Sequence, residues 1–129
     1  MTQVQGTNFE LVGDFMEAMG QDIEMRPIFP EDHIQKLRFD LIEEELDELK
    51  LGMDNQNLIE VADALTDLLY VIYGAGQAFG IDLDECFQEV HYSNMSKLGE
   101  DGRPIKREDG KVLKPDSYFP PNLKDILYE

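Results

Sequence analysis

Two long stretches of the chain carry apolar side chains at helical spacing, and only a short polar turn separates them. The first spans about residues 31–53, and the second spans about residues 57–79 and ends at Gly80. Two helices joined by so short a turn pack against each other in antiparallel orientation. We therefore predict an all-α fold that is built around this helical pair.

Shorter helical patterns flank the pair. Apolar residues lie on one arc of a predicted helix over residues 9–19. Asp82 is a typical helix N-cap and precedes a second predicted helix over residues 83–98. The Asp109-Gly110 turn, between residues 105–107 and 111–113, favours a small hairpin. We expect a four-to-five-helix bundle in a single domain over residues 1–129, with an irregular C-terminal tail from about residue 99.

The charge of the chain limits its partners. With 28 acidic and 11 basic residues, the net charge is −17, which opposes binding to nucleic acid or to an anionic membrane and favours metal cations. No apolar run approaches the ~20 residues of a membrane span, and no Lys or Arg precedes Arg26 as a signal peptide would require. The single cysteine, Cys86, fits a reducing compartment. We expect a cytoplasmic protein.

The acids of the first long helix divide between two faces. Glu45 and Glu48 lie inside the apolar arc, and Glu44 lies at its edge. The charged residues of the opposite face form an ordinary solvated surface: Lys36, Asp40, Glu43, Asp47 and Lys50.

The second long helix carries one narrow acidic stripe, Glu60, Asp63 and Asp67, on an otherwise apolar surface. We therefore expect this helix to be buried on several sides. No Lys or Arg lies between Lys50 and Lys97, so these acids lack a basic partner nearby in sequence. A carboxylate that is neither solvated nor paired must take up a proton or bind a cation. Packing of the two helices therefore favours a Mg²⁺ or Mn²⁺ site, although a solvated acidic stripe is the simpler alternative.

Three residues are candidates for phosphate binding. Asn94 and Lys97 continue the apolar stripe of the fourth predicted helix, but both are also ordinary residues at a helix end. Arg38 lies on the inward arc of the first long helix. The pattern leaves open whether Arg38 holds a phosphate or neutralises Glu45.

The order of these acids resembles the all-α nucleoside triphosphate pyrophosphohydrolases of the MazG-like superfamily. The motif is Glu45-x-x-Glu48 followed by Glu60-x-x-Asp63, and the similarity covers roughly residues 33–127. It is closest to the compact branch called phosphoribosyl-ATP pyrophosphohydrolase-like. Further matching segments are residues 41–49, 80–84, 93–99, 101–102 and 118–121.

The resemblance implies a metal-dependent enzyme that works as a homodimer or a dimer of dimers. It implies about two or three Mg²⁺ ions per site, with Mn²⁺ as a substitute. It implies nucleotide contacts from Asn94 and Lys97 and a tail over residues 99–129 that covers the nucleotide. Arg38, from its place on the inward arc, is a further candidate beside Lys97 for holding the outer phosphates. The implied metal ligands are Glu45, Glu48, Glu60 and Asp63, and Glu44 is either a further ligand or the group that orients the attacking water. Glu44 and Glu45 are the candidate catalytic residues.

The implied reaction is attack of water on the α-phosphorus of a nucleoside triphosphate, which yields a monophosphate and pyrophosphate. The role would be nucleotide-pool control or housecleaning, and the preferred base and sugar stay open.

A non-catalytic acidic helical interaction protein is the alternative from another class. A di-iron bundle fits less well, because it needs Glu-x-x-His pairs and neither His33 nor His91 follows a Glu by three residues.

Overall fold

A computed structural model describes residues 5–128 as five helices and one small hairpin. The chain divides into two compact units, Met1–Leu83 and Asp84–Glu129. The elements in chain order are α1 (Asn8–Ala18), α2 (Asp32–Asp54), α3 (Leu58–Phe79), α4 (Leu83–Met95), β1 (Ile105–Lys106), β2 (Val112–Leu113) and α5 (Leu123–Tyr128). The predicted all-α class is confirmed, with the predicted hairpin as its only strands in the described residues.

The two long helices α2 and α3 form the framework of the first unit. The Asn57 side chain starts α3 by accepting hydrogen bonds from the backbone N–H groups of Ile59 and Glu60. At Gly52 the helices approach so closely that an added Cβ would lie 3.2 Å from the backbone nitrogen of Val61. Glycine at this position therefore permits the tight antiparallel contact that follows the turn.

Helix α1 packs against α3. It begins with a reciprocal cap, in which Glu10 N–H donates to the Thr7 hydroxyl at 3.2 Å and Thr7 N–H donates to the Glu10 carboxylate at 2.8 Å. The Gln77 amide donates to the Phe9 carbonyl at 3.0 Å and so joins the two helices. The predicted helix over residues 9–19 is confirmed, shifted by one residue at each end.

The first unit has a small core. Its buried apolar side chains are Val12, Met16, Ala64 and Ala78. Larger apolar residues of α2 and α3 remain exposed, including Phe39 at 64% and Leu58 at 80% of their surface. The expectation that α3 is buried on several sides is therefore not met within this chain alone.

In the second unit, the C-terminal tail is fastened to α4. The buried Ser93 hydroxyl donates to the Phe119 carbonyl at 2.7 Å, and the Asn122 N–H donates to the Glu89 carboxylate at 2.6 Å. Helix α4 ends at Met95 and not near residue 98, because the last turns carry i to i+3 hydrogen bonds, such as Leu98 N–H to the Met95 carbonyl.

No helix within residues 5–128 combines the length and the apolar content that crossing a bilayer requires. The expectation of a single domain stays a prediction.

Candidate functional site

The candidate site lies along the facing surfaces of α2 and α3. Glu44, Glu45 and Glu48 lie in the middle of α2, while Glu60 and Asp63 lie near the start of α3. Because the helices are antiparallel and joined by a short turn, these two sets of acids lie toward the same end of the helical pair.

Glu45 is the most constrained acid of the set. Its side chain is half-buried, and its Oε2 atom is buried without a hydrogen-bond partner. Burial raises the pKa of Glu45, and the nearby charges of Asp67, Glu48, Glu44 and Asp63 raise it further, in that order. A bound cation would relieve both effects, since it supplies a partner for the oxygen and offsets the repulsion.

The other predicted ligands are more exposed than expected. Glu44, Glu48, Glu60 and Asp63 are all exposed to solvent. For Glu60 and Asp63, this exposure matches the solvated acidic stripe, the simpler alternative in the sequence analysis. The residues that α3 buries are small ones, such as Ala64 and Gly74.

The candidate ligands differ in their ion pairing from the acids on the opposite face of α2. Within residues 5–128, no Lys, Arg or His forms an ion pair with any predicted metal ligand or with Asp67. The charged residues on the opposite face of α2 do form such pairs, because Lys36 Nζ lies 2.6 Å from the Asp40 carboxylate. The acids of the candidate site thus form an uncompensated negative surface.

The residues present suit a hard divalent cation. All donors are carboxylate oxygens, which Mg²⁺ and Mn²⁺ prefer, and the Oε2 atom of Glu45 has no other partner. In their present rotamers, no three Asp, Glu, His or Cys side chains of the described part are arranged to hold an ion. Binding therefore requires new rotamers of the exposed acids, which surface side chains adopt readily.

Arg38 is enclosed and does not reach a carboxylate. Its side chain is only 6% exposed, and one terminal nitrogen donates to the Gln21 side chain at 3.2 Å. Its Nε atom is buried without a partner, and burial lowers the pKa of the guanidinium. No described acid pairs with Arg38, so the suggestion that it neutralises Glu45 by direct contact is wrong.

The other two candidate phosphate ligands lie in the second unit. Asn94 is an exposed residue in the last turn of α4, and Lys97 is a half-buried residue just beyond it. Ser96, between them, accepts a hydrogen bond from the Phe119 N–H at 3.1 Å. This contact places the end of α4 beside the tail, while nucleotide binding by Asn94 and Lys97 stays a prediction.

Asp67 is the acid that the predicted ligand set omitted. It is half-buried, unlike Glu60 and Asp63, and it is the foremost of the charges that raise the pKa of Glu45. The sequence did carry a signal, because Asp67 continues the acidic stripe one turn beyond Asp63. The four-acid motif does not include Asp67.

One family model matches more than half of the chain. The sequence profile of the phosphoribosyl-ATP pyrophosphohydrolase family matches residues 12–94. An uncharacterized protein of Acanthamoeba polyphaga mimivirus is 44% identical over 126 residues, which are 95% of this chain and 47% of that protein. The chain thus spans about half the length of this curated relative.

A solved structure from Exiguobacterium sp. 255-15, provisionally assigned as an NTP pyrophosphohydrolase, is also similar. The two proteins share 27% sequence identity, and the match covers 92% of this chain and 90% of the other at a TM-score of 0.49.

Proposed function

We propose that this chain, which belongs to the phosphoribosyl-ATP pyrophosphohydrolase family, hydrolyses nucleoside triphosphates to nucleoside monophosphate and pyrophosphate. Family membership agrees with the resemblance to the MazG-like superfamily that the acidic motif predicts. The observation that carries the proposal is Glu45, a half-buried carboxylate among other acids whose Oε2 atom has no hydrogen-bond partner. Ribonucleotides and deoxynucleotides are both proposed as substrates.

We propose Glu44, Glu45, Glu48, Glu60 and Asp63 as the residues that hold divalent ions, about two or three per site. When bound, Mg²⁺ or Mn²⁺ would offset the charge of the triphosphate and lower the pKa of a coordinated water. An acidic surface of this kind attracts a nucleotide only after it has been loaded with cations.

The chain's own residues would then position the reactants. We propose that Glu44, which is exposed, accepts a hydrogen bond from the attacking water and takes its proton on a carboxylate oxygen. The water oxygen would bond to the α-phosphorus as the bridging bond between the α- and β-phosphates breaks. Pyrophosphate leaves with the electron pair of that bond.

Asn94 and Lys97 are proposed to contact the phosphates, with the tail over residues 99–129 closing over the nucleotide. Arg38 has little exposed surface for a phosphate. We propose that it acts on the outer phosphates through its charge, without direct contact.

The assembly proposed is a homodimer or a dimer of dimers. The large apolar side chains that α2 and α3 leave exposed, such as Phe39, Leu46 and Leu65, support this proposal, since contiguous apolar surface is costly in water. Analytical ultracentrifugation would test it. A species of 14.8 kDa at micromolar concentration would contradict it.

A substrate panel tests the function. Ribo- and deoxynucleoside triphosphates are incubated with the full chain and Mg²⁺ or Mn²⁺, and pyrophosphate is scored against orthophosphate. We expect pyrophosphate and monophosphate in equal amounts, and only with a divalent ion present. Orthophosphate as the main product would contradict the proposed bond cleavage, and no turnover of any nucleotide would favour a non-catalytic acidic interaction protein.

A further inference from the structure

We propose that a cavity between α1 and α3 holds the base of the nucleotide, and that its volume selects single-ring pyrimidines over double-ring purines. The inference rests on the proposed function, because it names the substrate class of the same enzyme. It assigns a role to residues that lie outside the acidic motif.

The cavity has a volume of about 150 Å³ and lies within the first unit. Its lining is mostly apolar and includes Asn8 and Leu11 of α1 and Thr66, Leu69, Tyr70 and Tyr73 of α3. An apolar cavity of about 150 Å³ is large enough for one benzene ring. A pyrimidine base has one ring of this size, whereas a purine carries a second, fused ring that needs more space.

The two tyrosines of the cavity are held in place by phenylalanines of α1. The ring of Tyr70 meets the ring of Phe15 edge-on, with centroids 5.5 Å apart, and the ring of Tyr73 meets that of Phe9 at 6.3 Å. Such edge contacts between aromatic rings are favourable. The cavity therefore has preformed aromatic walls, on which a flat base can stack.

Polar groups at the cavity are free to bind a base. Within residues 5–128, the Asn8 amide and the hydroxyls of Tyr70 and Tyr73 form no hydrogen bond. The Thr66 hydroxyl donates to the Ala62 carbonyl at 2.7 Å and so retains its capacity to accept. A few polar groups in an otherwise apolar cavity are typical of a site for a small heterocycle, because they fix its orientation.

The cavity adjoins the acidic stripe of α3. Acids and cavity residues alternate along one face of this helix, at positions i, i+3, i+4 and i+7: Asp63, Thr66, Asp67 and Tyr70. Neighbours at these spacings lie about 5–6 Å apart. A ribose spans a similar distance between its base and the α-phosphate. A base in the cavity therefore brings the phosphates beside the acids proposed to hold divalent ions.

Kinetics of the full chain on nucleotide pairs that share a sugar test the inference. UTP and CTP are compared with ATP and GTP, and dUTP and dCTP with dATP and dGTP, in the presence of Mg²⁺. We expect kcat/KM to be at least ~10-fold higher for the pyrimidines.

A variant that widens the cavity should weaken this preference. Leu69 is exposed at its edge, so Leu69→Ala enlarges the cavity with little effect on the core. We expect Leu69→Ala to raise kcat/KM for purines and to reduce the pyrimidine preference at least ~3-fold. Leu58→Ala is the control, because Leu58 is an exposed leucine of the same helix that does not line the cavity, and it should leave the preference unchanged.

Equal turnover of both base classes, or a preference for purines, would overturn the inference even if pyrophosphate is released. Equal effects of Leu69→Ala and Leu58→Ala on the preference would also overturn it. If Leu69→Ala fails to fold by circular dichroism, Leu69→Val is measured against the same expectations.

A binding measurement separates the failure of this inference from the failure of the proposed function. If no triphosphate is hydrolysed, the proposed function fails, and calorimetric titration with UMP, CMP, AMP and GMP still tests the cavity. Binding of UMP or CMP at least ~10-fold tighter than that of AMP and GMP supports the inference. Equal binding of the four, or no binding, contradicts it.

Discussion

Arg38 and Glu45 lie seven residues apart on the same face of α2, and both contain a buried side-chain atom that has no hydrogen-bond partner. For Arg38 this atom is Nε, and for Glu45 it is Oε2. The two positions therefore present the same problem, a charge withdrawn from water, with opposite signs.

The side chains that surround Arg38 and Glu45 differ in charge. Arg38 is enclosed by Gly74 and bonded to Gln21, so its neighbours are neutral and part of the fold. Glu45 is surrounded by other acids, foremost Asp67, which make its charged form less favourable. A buried charge is thus a poor marker of a ligand site by itself, whereas a buried carboxylate among other acids must take up a proton or bind a cation.

The largest expected effect follows from removing the charge of Glu45. Glu45→Gln should lower Mn²⁺-dependent pyrophosphate release by at least ~100-fold, because a ligand carboxylate is lost. The measurement is the steady-state rate with saturating Mn²⁺, and Asp47→Asn serves as the control because it removes one acid from the exposed face of the same helix. An equal loss in both variants would mean that overall charge, and not the position of Glu45, sets the rate.

A smaller effect, on the KM for the nucleotide, is expected to distinguish Lys97 from the enclosed Arg38. Lys97→Met should raise the KM for the nucleotide about 10-fold, since a charge-assisted contact to phosphate is lost. Arg38→Met should raise it less than ~3-fold, because Arg38 acts only through its field. A larger KM change for Arg38→Met than for Lys97→Met would show that the guanidinium leaves its enclosure to bind phosphate.

The two close helix approaches should differ in their tolerance of a methyl group. Gly52→Ala should destabilise the fold by about 1–3 kcal/mol, because the new Cβ meets the backbone of α3. Gly74→Ala should cost less, because its Cβ meets the end of the Arg38 side chain and alanine gains ~1 kcal/mol of helix propensity. Denaturant unfolding of both variants measures the difference, and equal costs would contradict the packing described for α2 and α3.

The smallest effect is a pH dependence of the metal-free protein. The pKa of Glu45 is raised in the folded state, so the folded protein binds this proton more tightly than the unfolded chain does. Its contribution to stability is present below its ordinary pKa and is lost as the pH rises through the raised value. On going from pH 7 to pH 5, the wild-type chain should therefore gain more unfolding free energy than Glu45→Gln, and an identical gain in both would contradict the raised pKa.

Much of the fold could be predicted from the sequence. The helix bounds follow from apolar periodicity and from local signals such as Asn57 and Gly80, which act within a few residues of the chain. The hairpin follows from the Asp109-Gly110 turn for the same reason. Arg38 was correctly expected on the inward side of α2.

The candidate site could be predicted only in part. Helical angles placed Glu45 on the inward side of α2, where it is half-buried. They cannot show how far each acid lies from the helix contact, and Glu48, which they also placed on the inward side, is exposed like Glu60 and Asp63. The importance of Asp67 depends on the register between two helices. That register is set by the approach at Gly52, which no single-helix pattern contains.

The central claim is that the carboxylates between α2 and α3 bind a divalent ion at the level of Glu45. The most direct test is an anomalous difference map from crystals of the full chain grown with saturating Mn²⁺. We predict a manganese peak within roughly 2.0–2.4 Å of a Glu45 carboxylate oxygen. An ordered Glu45 side chain without a peak, with manganese bound only at exposed acids such as Asp40 or Asp47, would contradict the claim.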